Sequence, residues 1–237
     1  MKTIVINNSG NVGKSFISRE VFFQNMNEDR LLLELETHNS SSNGFNNITV
    51  EKIRGDEIKE LFRYMNLHED IVVDVGASNI ENFLKEISKS LQILDDIDYF
   101  IVPAYSDTKQ TKDTIKTLEL LSNIVEADKL KVIFNRVDKD PKSEFKFVIE
   151  AMKRLGVHVD LELSIYNSEA VEDLDRLKLL SSDLASDEMD YKQLARERAK
   201  AGDKKGSIEA SDKQMLKIMA ANLQGNVTQV FNLVSGA

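Results

Sequence analysis

The 237-residue chain contains no cysteine, three histidines and no long apolar run. Without thiols there is no disulfide framework, no thiolate metal site and no cysteine nucleophile, so any chemistry must run on oxygen and nitrogen. Such a composition suits a reducing cytoplasm. His38, His68 and His158 are scattered without ligand spacing, and surface or packing roles are the default for them, although His38 lies near a candidate site. No apolar run approaches a membrane span, and the N-terminus enters strand residues without a basic region and apolar signal segment. The expectation is a soluble, unprocessed cytoplasmic protein with no transmembrane segment. The net charge of -9 excludes a protein coated in nucleic acid but leaves room for a local basic patch. With 41% hydrophobic and 30% charged residues, the chain reads as one globular domain with room for a small appendage.

What is present is a series of strand-length apolar runs separated by segments of helical period, the signature of βα units building a parallel sheet. The stretch NNSGNVGKS, Asn7 to Ser15, lies where the first run, TIVIN, hands over to a helix beginning KSFISREVFFQN. Gly10 and Gly13 allow backbone angles that turn successive N–H groups onto a phosphate at the positive end of that helix. Lys14 then supplies an ammonium for the β- and γ-phosphates, and Ser15 a hydroxyl for Mg²⁺. The pattern G-x-x-x-x-G-K-[ST] asks for glycine at position 8, where this chain has Asn8.

Two further runs end in acids. LLLELE, Leu31 to Glu36, is a buried strand that finishes in carboxylates, and in open α/β sheets ligands gather at the carboxyl ends of strands. The loop after it, Thr37 to Asn47, reads as a flexible linker or as a switch segment beside the site. DIVVDVGAS, Asp70 to Ser78, places Asp74 at a strand end, where a carboxylate can reach Mg²⁺ or its water. DYFIVPAY, Asp98 to Tyr105, reads as a strand stopped by Pro103, and LKVIFNRVD, Leu130 to Asp138, carries Asn135, whose amide suits either a base edge or a turn. Helices are expected over residues 55–66, 79–94, 106–125 and 142–156, with a last strand region over 157–166. Residues 168–190 read as acidic and helical. Tyr191 to Gly206 has six basic and two acidic residues, which is either a solvated helix face or a surface for DNA phosphate. A final helix, 211–223, and an apolar tail, 230–234, close the chain.

In order and spacing, SGNVGKS, LLLELE, IVVDVGAS, DYFIVPAY and VIFNRVD resemble the ParA/MinD family of deviant P-loop ATPases, up to about Ser168. The resemblance implies a three-layer α/β/α P-loop NTPase core over residues 1–168 with a mostly parallel sheet, and a helical C-terminal region over 169–237. It implies ATP and Mg²⁺, with Ser9, Gly10, Asn11, Val12, Gly13, Lys14, Ser15, Phe16 and Asn135 at the nucleotide. Ser15 and Asp74 would lie at the metal, and Lys14, Asp74 and Glu36 would serve catalysis, Glu36 standing where the family has the Asp that orients water. It further implies a nucleotide-dependent homodimer, a DNA-binding adaptor partner, and a role in plasmid stability, segregation or conjugative transfer, while the charge of the Lys192 to Lys205 run by itself suggests weak non-specific DNA contact.

Two departures accompany the resemblance. The family carries, at the position of Asn8, a signature lysine that reaches across the dimer to the partner's phosphates, a charge that Asn8 cannot supply. Glu36 is one methylene longer than the family's Asp. Hydrolysis is then slow, or another cation serves, with Arg136 and Lys109 as candidates. Two alternatives stay open: a GTPase that reads guanine through Asn135-Arg136-Val137-Asp138, and a nucleotide-sensing module with negligible turnover.

Overall fold

In the computed structural model, which describes residues 1–35, 42, 44, 45, 48, 50–54, 57–89 and 92–236, seven parallel strands form one sheet. The strands are β1 (Lys2–Ile6), β2 (Arg30–Leu35), β3 (Val50–Ile53), β4 (Asp70–Val75), β5 (Tyr99–Ala104), β6 (Leu130–Val137) and β7 (Ser164–Tyr166), in the order β3-β2-β4-β1-β5-β6-β7. All six residues of β4 are buried, as the continuous apolar run of a central parallel strand requires. The chain moves to one side of β1 for β2 and to the other for β5. This reversal opens the crevice at the strands' carboxyl ends.

Alternation along the strands feeds two cores. Ile4, Ile6, Val73 and Phe134 face one side, beneath α2 (Ile58–Leu67), α3 (Ile80–Ile87), α5 (Thr108–Leu121) and α7 (Lys146–Arg154). Val5, Leu32, Val72 and Ile101 face the other. There they meet the first helix, α1 (Lys14–Phe16), which widens into a π-helical stretch, Ile17–Phe22, and closes in a short 3-10 turn, Phe23–Asn25. The same side is covered by α8 (Ala170–Leu177), α9 (Ser181–Ala185) and α11 (Lys204–Ser235). Between α9 and α11, α10 (Tyr191–Lys200) turns back on α11 as a helical hairpin.

Several elements differ from the sequence expectation, each for a local reason. β3 is an edge strand in which only Ile53 is buried, so the sequence presents little apolar signal. The helix over 79–94 is two pieces, α3 and α4 (Gln92–Asp95). The helix over 142–156 is broken at Phe145, which is held at φ -107 and ψ 24 between α6 (Pro141–Glu144) and α7. Of the strand region 157–166, only β7 pairs with β6, across a bulge. The final helix and the apolar tail are one element, α11, of 32 residues. Gly206 lies inside its first turn, because a Cβ there would come within 2.1 Å of Asp203 and 2.6 Å of Arg198. Asp203 caps that turn by accepting from the Gly206 N–H at 2.9 Å.

α11 contributes Leu216, Ala220, Leu223, Val227, Val230 and Val234 to the core shared with β1, β2, β4 and β5. Truncation of Leu223, which is 3% exposed, should therefore destabilise the whole sheet. We expect Leu223→Ala to lower unfolding free energy by about 2–5 kcal/mol in a single urea transition. An unchanged midpoint would place α11 outside the cooperative unit.

Candidate functional site

The loop after β1 is fixed before it turns. Asn7 is fully buried, and its amide donates to the Pro103 carbonyl at 2.7 Å and to Thr114 Oγ1 at 2.8 Å, while its oxygen accepts from the Ser9 N–H at 2.8 Å. The Asn8 N–H donates to Thr117 Oγ1 at 3.0 Å. Two buried threonines of α5 thus hold the loop's first residues. The apolar spacing of Ile115, Leu118, Leu121 and Val125 predicts the buried face here, and Leu118, Leu121 and Val125 are buried, but it misses Thr114 and Thr117, whose signal was a threonine pair at i, i+3 beside buried leucines.

The left-handed positions of the loop are Asn11 (φ 59) and Gly13 (φ 93), not Gly10. Asparagine tolerates this region better than other side chains. Gly13 has a second reason to be glycine: a Cβ there would come within 2.1 Å of Asn135 Nδ2. That amide donates to the Val12 carbonyl at 2.9 Å, and its oxygen accepts from the Arg136 N–H at 3.0 Å. Asn135 is thereby locked beneath the loop at 2% exposure, with both ends of its amide engaged. Lys14 curls back to donate to the Ser9 carbonyl at 2.6 Å and the Asn7 carbonyl at 3.1 Å.

Beside Lys14 stands a buried acidic pair. Register places Glu34 of β2 directly opposite Asp74 of β4, with Val5 of β1 on its other side. Glu34 accepts from the Ser42 N–H at 3.0 Å. Asp74 is buried, and burial pushes its pKa up from an ordinary 3.8 to about 6. A hydrogen bond from Ser15 and the charges of Lys14 and Arg19 oppose that rise, while the Glu34 charge adds to it. Asp74 Oδ1 has no hydrogen-bond partner. Among the described residues no group of three or more His, Cys, Asp or Glu side chains could hold a metal by itself. The Ser15 hydroxyl and the bare Asp74 oxygen nonetheless fit a hard divalent cation that takes its remaining oxygens from phosphate and water.

Arg19, which sequence reasoning did not single out, completes this corner. It is 5% exposed, with its guanidinium 4.0 Å from the Phe45 ring centroid and Nη2 donating to Asp175 Oδ1 at 3.2 Å. Burial lowers its pKa, against the charges of Asp175, Glu20, Asp74 and Glu34. Its only sequence signal is an Arg-Glu pair within an otherwise apolar helix.

Two adjoining cavities follow the loop. One, of about 370 Å³, is lined by Gly13, Lys14, Ser15, Arg19 and Phe45. The other, of about 390 Å³, is lined by Tyr105, Asn135, Asp138, Tyr166 and Asn167. Phe16, Arg136, Val171 and Glu172 line both. Arg136 is held at φ 55 where β6 bulges against β7, and its guanidinium lies 5.5 Å from the Tyr105 ring. Bulges of this kind re-aim a side chain beside a site. Thus Asn11, Gly13, Lys14, Ser15, Phe16, Asn135 and Arg136 line one continuous cleft, whereas Ser9, Gly10, Val12 and Asp74 are not among its lining residues. Lys109 and the Lys192 to Lys205 run line neither cavity, and Glu36 lies outside the described residues.

This arrangement of loop, sheet order and strand-end acid decides the architecture. The chain has the MinD-type P-loop NTPase fold. MinD cell division protein of Aquifex aeolicus is similar over 100% of this chain and 98% of its own, with TM-score 0.55 and 12% identity. MinD of Pyrococcus horikoshii, complexed with Mg-ADP, is similar over 98% of both chains, with TM-score 0.52 and 10% identity. The cell division ATPase MinD of Pyrococcus furiosus is similar over 95% and 98%, with TM-score 0.51 and 10% identity. No protein-family model and no curated protein matches the sequence. At these identities the likeness to MinD is one of fold.

The raised pKa of Asp74 has a stability consequence. The folded chain holds this proton up to about pH 6 and the unfolded chain releases it near 3.8. Its contribution is therefore fully present below 3.8 and is lost as pH rises through 6. Asp74→Asn, which does not titrate, should gain on wild type across that window, by up to roughly 3 kcal/mol at pH 7.5. Thermal melts at pH 4, 5, 6 and 7.5 check this. A difference independent of pH would refute it.

Proposed function

We propose that the cleft binds ATP with Mg²⁺ and that the chain is a slow or partner-activated ATPase. The observation that carries this reading is the meeting of Lys14, Ser15 and the bare buried oxygen of Asp74 where β1 and β4 end. A carboxylate kept buried at a net cost to stability is characteristic of a functional site. Mg²⁺, when bound, neutralises charge on the phosphates. Lys14 would leave the Asn7 and Ser9 carbonyls for the β- and γ-phosphates, while the loop N–H groups from Gly10 to Ser15 cradle them. Ser15 and Asp74 would hold the metal, directly or through water. Glu36 would orient the attacking water, and Asn135 would fix the loop's shape from below while forming the wall toward the base.

The second cavity would take the base and ribose, stacked near Phe16 and Tyr105. The adenine nucleotide carried by the Pyrococcus horikoshii MinD structure supports ATP. Asp138, which accepts from Asn167 Nδ2 at 3.0 Å, keeps a guanine-reading alternative in view. Competition between ATP and GTP for labelled nucleotide distinguishes the two.

On the likeness of the five motifs we infer that the chain is of the ParA/MinD type and resembles the plasmid stability protein StbB. The cleft would then control a homodimer or the docking of a DNA-binding adaptor, as a cytoplasmic switch in plasmid stability, segregation or conjugative transfer. No helix among the described residues is long and apolar enough to cross a membrane. Lys192, Arg196 and Lys200 form an exposed stripe at four-residue spacing on α10, suited to weak non-specific contact with DNA phosphate. Arg198 turns instead toward the Gly206 carbonyl.

Steady-state phosphate release with ATP and Mg²⁺, beside a nucleotide-binding titration, tests the reading. Lys14→Ala should reduce turnover by about two orders of magnitude or more. Turnover equal to wild type would sink the proposal, and tight binding without any turnover would favour the sensing module. Separately, DNA affinity should fall steeply with salt. It should also fall when Lys192, Arg196 and Lys200 are neutralised together, and an unchanged affinity would dismiss the α10 contact.

A further inference from the structure

Arg19 is placed to do more than pack. It lies four residues beyond Ser15, where helical side chains share a face and lean toward the N-terminus. It lines the same cavity as Gly13, Lys14 and Ser15. Two of its partners belong to different segments. Phe45 comes from the connection after β2, and Asp175 from α8. Lys178, just past α8, lies 4.9 Å from the same Phe45 ring and 3.8 Å from Asp175 Oδ2. One guanidinium thus fastens the π-helical stretch after α1, the β2–β3 connection and α8 together over the phosphate end of the cleft.

The weakest member of this cluster is the carboxylate. The Asp175 side chain is 53% exposed, whereas that of Arg19 is 6% exposed. A half-solvated, singly charged acid is a poor competitor for a planar donor fork when a terminal phosphoryl group, with more charge and three acceptor oxygens, enters the same cavity. We propose that Arg19 reads the terminal phosphate of a bound nucleoside triphosphate, exchanging Asp175 for it. The exchange loosens the Arg19 hold on α8 in the triphosphate state and leaves it intact with a diphosphate. Arg19 would then report the state of the nucleotide to the two segments that border the cleft. This rests on the nucleotide reading of the cleft given above.

The test is the affinity of the full chain for the non-hydrolysable β,γ-imido analogue of ATP against that for ADP, each with Mg²⁺. Arg19→Gln should weaken the analogue about tenfold or more while leaving ADP within about twofold. Arg19→Lys should restore part of the discrimination. Asp175→Asn should shift the ratio the other way, since the competing charge is gone. Equal losses for both nucleotides in Arg19→Gln would make Arg19 a packing residue and overturn the proposal. So would an unchanged ratio in Asp175→Asn, which carries the test alone if Arg19→Gln does not fold. Wild-type protein that binds neither nucleotide would overturn the nucleotide reading itself and this proposal with it.

Discussion

The contact between Gly13 and the Asn135 amide is the constraint on which the rest of the site depends. It joins the loop after β1 to the end of β6, on the far side of β5, at a separation that admits no Cβ. With Asn7 tied to β5 and α5 at the loop's other end, the loop is held at both of its feet. Its geometry is set by buried amides and hydroxyls rather than by glycine content, so a loop with Asn8 and Asn11 keeps a shape often associated with glycines at more positions.

Holding the loop so firmly has an electrostatic consequence. Lys14, Arg19, Glu34 and Asp74 are brought together with little water. Burial pulls Arg19 down and pushes Asp74 up, each moving toward its neutral form. A site in this condition is poised for additional charge: phosphate would favour the cations and a divalent ion the carboxylates. The same physics makes the cluster unfavourable for the folded chain by itself.

Much of this was legible in the sequence, and the reasons for the rest are specific. The strands β1, β2, β4, β5 and β6 announce themselves because a parallel sheet covered on both faces needs unbroken apolar runs. That Lys14, Ser15 and Asp74 come together was legible because the loop after one such run and the end of another meet at the same edge of the sheet. β3 was not, since VEKI at a sheet edge carries two exposed charged residues in four. Thr114 and Thr117 escaped because a threonine facing a core reads as an interruption of the apolar face until its loop partner is known. Arg19 escaped for the opposite reason: a charged residue in a helix is read as solvent-facing. The length of α11 was obscured by Gly206 and Gly225, which suggest boundaries but lie within the helix. Its capping Asp203 was the better signal.

Every residue from Ile17 to Phe23 is buried. The helix that follows the loop therefore has no exposed side: sheet, α8, α9 and α11 surround it, and its π-helical stretch is buried throughout. Close-packed interiors resist sliding because every displacement opens a void on one side and a clash on the other. A ligand bound at the loop would meet side chains able to change partners around a helix that is itself fixed by packing. The route outward would then run through the two segments that touch this helix from the rim, and not through the helix itself.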